Sequence, residues 1–191
     1  VGSHIKTLRD SYAIIRFADG NIYMLKPETE IVVKQPPQGS GGSSMKIILG
    51  KLWSNTKKLW NEGHIEIETS QAVAGIKGTT YVLEVDADKT VLKVIEGTVA
   101  LTSKSTGQTI DVAGGQQATA DSKGLSEVVA FDTSIEQATW DKISSPVAET
   151  EKDFKKSNDS ILTVSVIATG VVIVAAFLLL VYRTKKKNRN F

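Results

Sequence analysis

The sequence predicts an all-β fold, an antiparallel sandwich or small β-roll of short strands, with one short helix after it and a C-terminal transmembrane α-helix. Three observations carry this expectation. Short apolar runs recur between turn signals from Tyr12 to Phe131, at spacings of about 8–12 residues. No helical stretch intervenes to serve as the crossover that a parallel α/β sheet requires. Ile161 to Tyr182 runs for 22 residues without one charged side chain. As a helix it spans about 33 Å, against a hydrocarbon core about 30 Å thick.

The elements follow in chain order. Tyr12–Phe17 and Ile22–Leu25 flank Asp19-Gly20-Asn21, a hairpin signal because Asp-Gly tolerates the positive φ of tight turns. Ile31–Val33 is a strand, and residues 35–44 (QPPQGSGGSS) form a loop rich in Pro and Gly. Met45–Leu49 resumes as a strand. Leu49, Leu52, Trp53, Thr56, Leu59 and Trp60 then fall at helical spacing, so a short amphipathic helix is favoured over a strand there. The two tryptophans suit core packing better than a stacking surface for carbohydrate or a partner. Ile65–Thr69 alternates, which leaves one face to solvent. Thr79–Val85, Thr90–Glu96, Thr98–Ser103, Thr109–Val112, Gln117–Ala120 and Ser126–Phe131 complete the strands, with turns at residues 86–89, 106–107 and 114–115. Residues 133–144 suit a short helix capped by Thr133 or Ser134 and ended by Pro146.

Charge divides the chain unevenly. Of 23 Lys and Arg, five lie in residues 183–191 (Arg183, Lys185, Lys186, Lys187 and Arg189), so the remainder holds 18 against 21 acids, a net −3. A mildly acidic body with a basic tip offers no surface for nucleic acid. The basic tip after an apolar span places the tail in the cytoplasm and residues 1–160 outside, with the lipid bilayer as a partner. The expected organisation is a β-domain over 1–131, a short helix and polar linker over 132–160, the membrane helix over 161–182 and the tail over 183–191. The chain begins with Val1 and shows no signal peptide, so an upstream segment is expected.

Candidate chemistry is sparse. There is no cysteine, and the two histidines, His4 and His64, are far apart, so thiolate or His-rich metal sites and a Cys nucleophile are excluded. No phosphate-binding loop, nucleophile elbow or HExxH helix occurs. Asp86 and Asp88 suit a solvated turn better than a calcium site. Glu66/Glu68 and Glu28/Glu30 each suit an exposed strand face better than an acid–base pair. No catalytic residue, cofactor or metal is expected.

Residues 69–81 (TSQAVAGIKGTTY) resemble the signature of the FecR-type domain, which reads approximately T-P-x-A-x-A-x-V-R-G-T-x-F. Residues 91–99, ending in Glu96-Gly97-Thr98-Val99, and residues 110–116, ending in Ala113-Gly114-Gly115-Gln116, resemble the second and third hallmarks of that family. The likeness covers roughly residues 2–131. Ser70 stands for the usual Pro, Lys77 for Arg and Tyr81 for Phe; Lys keeps the charge but lacks the planar fork of Arg. The resemblance singles out Thr69, Ala72, Gly75, Lys77, Gly78, Thr79, Gly97 and Gly114, read as fold-forming residues. The family's best-known members are membrane-spanning regulators of iron-uptake genes, with an extracytoplasmic part that receives a signal. For this chain the resemblance implies a prokaryotic, membrane-anchored, extracytoplasmic module that binds or receives a signal through an envelope or membrane protein partner, without catalysis. A structural or adhesive surface module is the alternative.

Overall fold

Period-two patterning becomes pleated sheet over most of its length. The computed structural model of the chain describes residues 2–17, 21–35, 43–56, 65–142, 162–168 and 171–177. Its strands are β1 (Ser3–Lys6), β2 (Ser11–Arg16), β3 (Ile22–Leu25), β4 (Glu30–Gln35), β5 (Ser43–Asn55), β6 (Ile65–Glu68), β7 (Ala72–Ile76) and β8 (Thr80–Val85). They continue as β9 (Lys89–Glu96), β10 (Thr98–Ser103), β11 (Thr109–Ala113), β12 (Gln116–Asp121), β13 (Gly124–Leu125), β14 (Val129–Ala130), β15 (Leu162–Ala168) and β16 (Val171–Phe177). A helix, α1, covers 134–142.

The pairing forms two sheets that share one strand and nearly close into a barrel. The first runs β1-β4-β5-β6-β7-β10-β11, and the second runs β16-β15-β2-β3-β5-β8-β9-β12, with β13 and β14 beyond. The N-terminal half of β5 pairs with β4 and β6, and its C-terminal half with β3 and β8. Gly50 marks the change of sheet. Its φ is +104°, and a Cβ there would lie 2.5 Å from the Thr29 Cα, so only glycine fits this bend.

The inward faces of the two sheets meet in one core. Ile31, Met45, Ile47, Ile65, Ile67, Ile76, Val99 and Leu101 come from the first; Ile15, Tyr23, Leu25, Leu52, Tyr81, Leu83, Leu92 and Val94 come from the second. The second sheet is also apolar on its outer face, where Ile14, Met24, Trp53 and Val82 form a separate cluster. Register places these four side by side: Ile14 opposite Met24, Met24 opposite Trp53, and Trp53 opposite Val82. Helix α1 lies over them, its Trp140 stacked on Trp53 with ring centroids 3.8 Å apart and planes 6° from parallel. Burial on both faces explains why β8 is buried at every position but Glu84.

Several expectations need correction. The helix expected from Leu49 is strand through Asn55, while residues 57–64, with Trp60 and His64, lie outside the described residues. The helical spacing is a consequence of the bend. Ser43, Met45 and Ile47 point inward, Ile48 and Leu49 are exposed, and beyond Gly50 the consecutive residues Leu52, Trp53 and Ser54 are all buried. Alternation broken by a bulge mimics a longer period. β7 is a strand that the pattern did not predict, because Ala72, Ala74 and Gly75 carry no bulky strand-forming side chain. Of the last strand expected, Ser126–Phe131, only Val129–Ala130 (β14) is strand, and the two-residue β13 precedes it. One pair, β5 with β6, is parallel. Glu28 has φ +55° and lies in a turn, so it shares no strand face with Glu30. The α1 entry is held by the Asp132 carboxylate, which accepts from the Ser134 N–H at 2.9 Å, in place of a Thr133 or Ser134 side chain.

The largest difference concerns residues 161–182. In place of the transmembrane helix the structure has β15 and β16, paired with each other and, through β15, with β2 from Ser11 to Arg16. The two strands are rich in Val and Ile, which favour extended backbone, and an apolar run without periodicity does not separate helix from strand. No helix among the described residues is long and apolar enough to cross a membrane.

Candidate functional site

Short turns gather at one end of the fold. The β6–β7, β8–β9, β10–β11 and β12–β13 connections converge there around a groove of about 530 Å³ lined by Ser70, Gln71, Ala87, Asp88, Lys104, Ser105, Asp121 and Ser122. Every lining residue but Ala87 has a polar or charged side chain.

Thr69 organises the wall. It is 1% exposed, and its Oγ1 accepts from the Ala72 N–H at 2.9 Å and the Gln71 N–H at 3.2 Å. This hydrogen-bonded turn is what a Thr before a strand provides. The buried Thr90 hydroxyl lies 2.7 Å from Thr69 Oγ1 and 2.9 Å from Gln71 Oε1. Gln71 in turn donates through Nε2 to the Ala87 carbonyl at 2.8 Å and accepts at its own carbonyl from the Lys104 N–H at 2.9 Å. One glutamine thus ties three of the four turns together.

Beside the groove, Glu68 is held between two lysines. Lys104 Nζ donates to its carboxylate at 2.5 Å and to the Thr69 carbonyl at 2.6 Å, and Lys34 bonds the same carboxylate. The hydrogen bonds from Lys104 and then Lys34 bring the Glu68 carboxyl down to about 2, against a smaller opposing effect of burial. Glu68 therefore stays ionised through the physiological range. Glu66, on the same strand, is exposed.

The residues singled out by the signature span the molecule. Thr69 and Ala72 stand at the groove end, and Gly75 pairs with Ala100 along β7. Lys77 is exposed on the bend that follows β7. Gly78, Thr79, Gly97 and Gly114 meet at the opposite end. The Thr79 N–H donates to Thr56 Oγ1 at 2.9 Å, and its carbonyl accepts from Thr56 N at 2.9 Å. Gly97 has φ +88°, and a Cβ on it would lie 2.6 Å from Thr79 Cγ2 and 3.0 Å from the Gly78 carbonyl oxygen. Gly114 donates to the Gly97 carbonyl at 2.9 Å. The three hallmarks, scattered over 46 positions from Thr69 to Gly114, close the two sheets against each other at this point. Of the substituted signature positions, Ser70 lines the groove and Tyr81 is fully buried beside Ser54, where burial pushes its hydroxyl pKa well up. Arg183, Lys185, Lys186, Lys187 and Arg189 lie outside the described residues.

Sequence reading missed Gln71, Lys104 and Lys34 as members of this region. Lys34 and Lys104 reach Glu68 from 34 and 36 residues away, and no local pattern announces such partners. Among the described residues no three His, Cys, Asp or Glu side chains are grouped to hold a metal ion.

Comparison with known proteins agrees with this architecture. A sequence profile described as FecR protein matches residues 3–100. No curated relative matches the chain. Two crystal structures, at 2.50 Å and 1.65 Å resolution, of a protein from Parabacteroides distasonis proposed to be an anti-sigma factor share the fold. The first superposes with a TM-score of 0.58 at 12% identity and the second with 0.55 at 13%. The match covers 69% of this chain and 60% of that chain in the first, and 68% and 59% in the second. This chain therefore spans about three-fifths of the length of those neighbours.

Proposed function

The chain belongs to the FecR family, and from that premise we propose that it is the signal-receiving part of a membrane-anchored regulator, acting through protein contacts and without catalysis. The observation that carries this reading is the family match over residues 3–100, which includes both ends of β7. The signature's glycine end supports a fold-forming role for Gly78, Thr79, Gly97 and Gly114. Its threonine end supports a contact role for the turn cluster. The solved neighbours carry a proposed anti-sigma role, which fits a regulatory output from a part of the protein other than this β-domain.

In this reading residues 1–131 form the receiving domain, 132–160 connect it, and 161–182 anchor it. The uncharged run is long enough to cross a bilayer as a helix. In the structure residues 162–168 of this run instead form a strand on β2, and residues 171–177 pair with that strand. Arg183 and Lys185 to Lys187 hold the tail on the cytoplasmic side, so the groove faces outward.

The test exploits the absence of cysteine. Ser122→Cys places a thiol in the groove, and Asn188→Cys places one in the tail. In intact cells an impermeant maleimide is expected to label the first and spare the second. A thiol-anchored crosslinker on Ser122→Cys in native membranes is expected to capture one defined protein. Labelling of Asn188→Cys from outside, or no captured protein across expression conditions, would overturn the reading.

A further inference from the structure

Helix α1 meets the second sheet through Glu136 and Trp140 on one face. Glu136 and Trp140 are four residues apart and therefore adjacent on the helix surface. Trp140 stacks on Trp53, which is 1% exposed and belongs to the outer apolar row Ile14, Met24, Trp53 and Val82. Glu136 enters a charged row on the neighbouring positions. Its Oε1 lies 2.6 Å from Lys51 Nζ and 3.5 Å from Lys93 Nζ. Glu84 completes the set at 2.9 Å from Lys51 and 2.7 Å from Lys93. Burial raises the Glu84 pKa, but hydrogen bonds from Lys93 and Lys51 outweigh it and leave the carboxyl below its ordinary value.

The sheet side of this seam carries excess positive charge. Lys26 joins Lys51 and Lys93 there: its backbone N–H donates to the Lys51 carbonyl at 2.9 Å, and its ammonium interacts electrostatically with Lys51, Glu136 and Glu84. Burial, and then the neighbouring Lys51, hold Lys26 below the ordinary lysine value. Three lysines therefore face one sheet-borne carboxylate, Glu84, and the fifth group, Glu136, comes from the helix. Ile135 is 70% exposed, and Glu136 is the one buried position of α1. The site is thus complete in the sheet, and its occupant is a short helix attached by a carboxylate and an indole.

We propose that the outer face of the second sheet is a helix-docking site, and that α1 is its displaceable resident. The partner it fits is a helix of another protein carrying a carboxylate one turn before an aromatic ring. Such a helix pairs its carboxylate with Lys51 and Lys93, seats its ring on Trp53, and frees α1 with the chain that follows it. The proposal deepens the regulatory reading, on which it rests, by naming the surface that a protein partner takes.

The experiment uses the full chain and a fluorescein-labelled peptide of residues 131–142 as the probe. A released variant, Glu136→Lys with Trp140→Ala, is expected to bind the peptide at least tenfold more tightly than the wild type, whose own helix occupies the site. Adding Lys51→Glu to the released variant is expected to weaken that binding at least tenfold, and a peptide with Lys in place of Glu136 to restore it. Absence of binding to a released variant with unchanged far-ultraviolet circular dichroism, or equal binding to the wild type, would overturn the proposal. Should the released variant not fold, hydrogen exchange on the wild type decides. Amides of α1 are expected to exchange at least a hundredfold faster than those of β8, and equal protection refutes a displaceable helix. These measurements need no cellular partner, so their failure is distinguishable from failure of the crosslinking experiment.

Discussion

Replacing Gly97 by alanine tests whether the convergence of the three hallmarks is a steric requirement. Two terms add at this position. The backbone φ of +88° is unfavourable for any residue with a Cβ, by about 1–2 kcal/mol. The new methyl would also lie 2.6 Å from Thr79 Cγ2, and overpacking of this kind costs about 1–3 kcal/mol. Together they predict a loss of about 2–5 kcal/mol, a large share of the stability of an ordinary domain. Gly107→Ala separates the terms, because Gly107 has φ +72° but a methyl added there would meet nothing within 4 Å. It is expected to lose only the backbone term, about 1–2 kcal/mol. Thr79→Ser removes the opposing methyl, so in a double-mutant cycle it is expected to recover about 1 kcal/mol of the Gly97→Ala loss. Urea unfolding followed by circular dichroism measures each variant against the wild type. Equal losses for Gly97→Ala and Gly107→Ala, with no coupling to Thr79, would refute the steric argument.

Three further outcomes are expected. Thr69→Val leaves the buried Ala72 N–H without its acceptor and should destabilise by about 1–3 kcal/mol; Thr69→Ser should retain most of the stability, and thermal melts of the pair check this. Glu68 sits at about 2 in the folded chain against an ordinary 4.5. A carboxyl depressed on folding stabilises above its unfolded value and loses that contribution as pH falls through its folded value. Wild type should therefore lose stability relative to Glu68→Gln between about pH 4.5 and 2, and parallel acid unfolding curves would contradict the Lys34–Glu68–Lys104 arrangement. Tyr81→Phe removes a buried hydroxyl that has no hydrogen bond of good geometry, so it should change stability by no more than about 1 kcal/mol, and a loss beyond about 2 kcal/mol in urea unfolding would show that the hydroxyl is bonded.

Strand identity was legible where bulky apolar residues alternate. β4, β6, β9, β10, β11 and β12 follow runs visible in the sequence, because one more buried and one more solvated face leave a period-two trace, whereas β2 and β3, buried on both faces, were marked by continuous apolar runs either side of Asp19-Gly20. The trace failed wherever a second influence acted on the same residues. At Gly50 a change of sheet shifts the phase, and Trp53 became part of an apparent helical stripe. In β7 small residues pack closely against β10 and leave no propensity signal. Over 161–182 composition alone does not distinguish the two regular structures, and the Val and Ile content favours the strand that pairs with β2. The candidate site divides the same way. Thr69 and the glycines stood out through a family pattern, whereas Gln71, Lys34, Lys104, Lys51 and Glu136 matter through partners 16 to 85 residues away. Such contacts are set by tertiary folding, which local spacing does not encode.

The sharing of β5 between two sheets bears on how the protein is made. Its pairing partners extend from Ile22 in β3 to Val85 in β8, so the second sheet is not continuous across β5 until the chain has been synthesised past that point. Long-range pairing of this kind is slow. The first four strands pair only as β1 with β4 and β2 with β3 until β5 joins them, and open strand edges are prone to intermolecular pairing. Biogenesis therefore places its greatest demand on the early half of the chain, which needs protection for as long as it takes β8 to arrive.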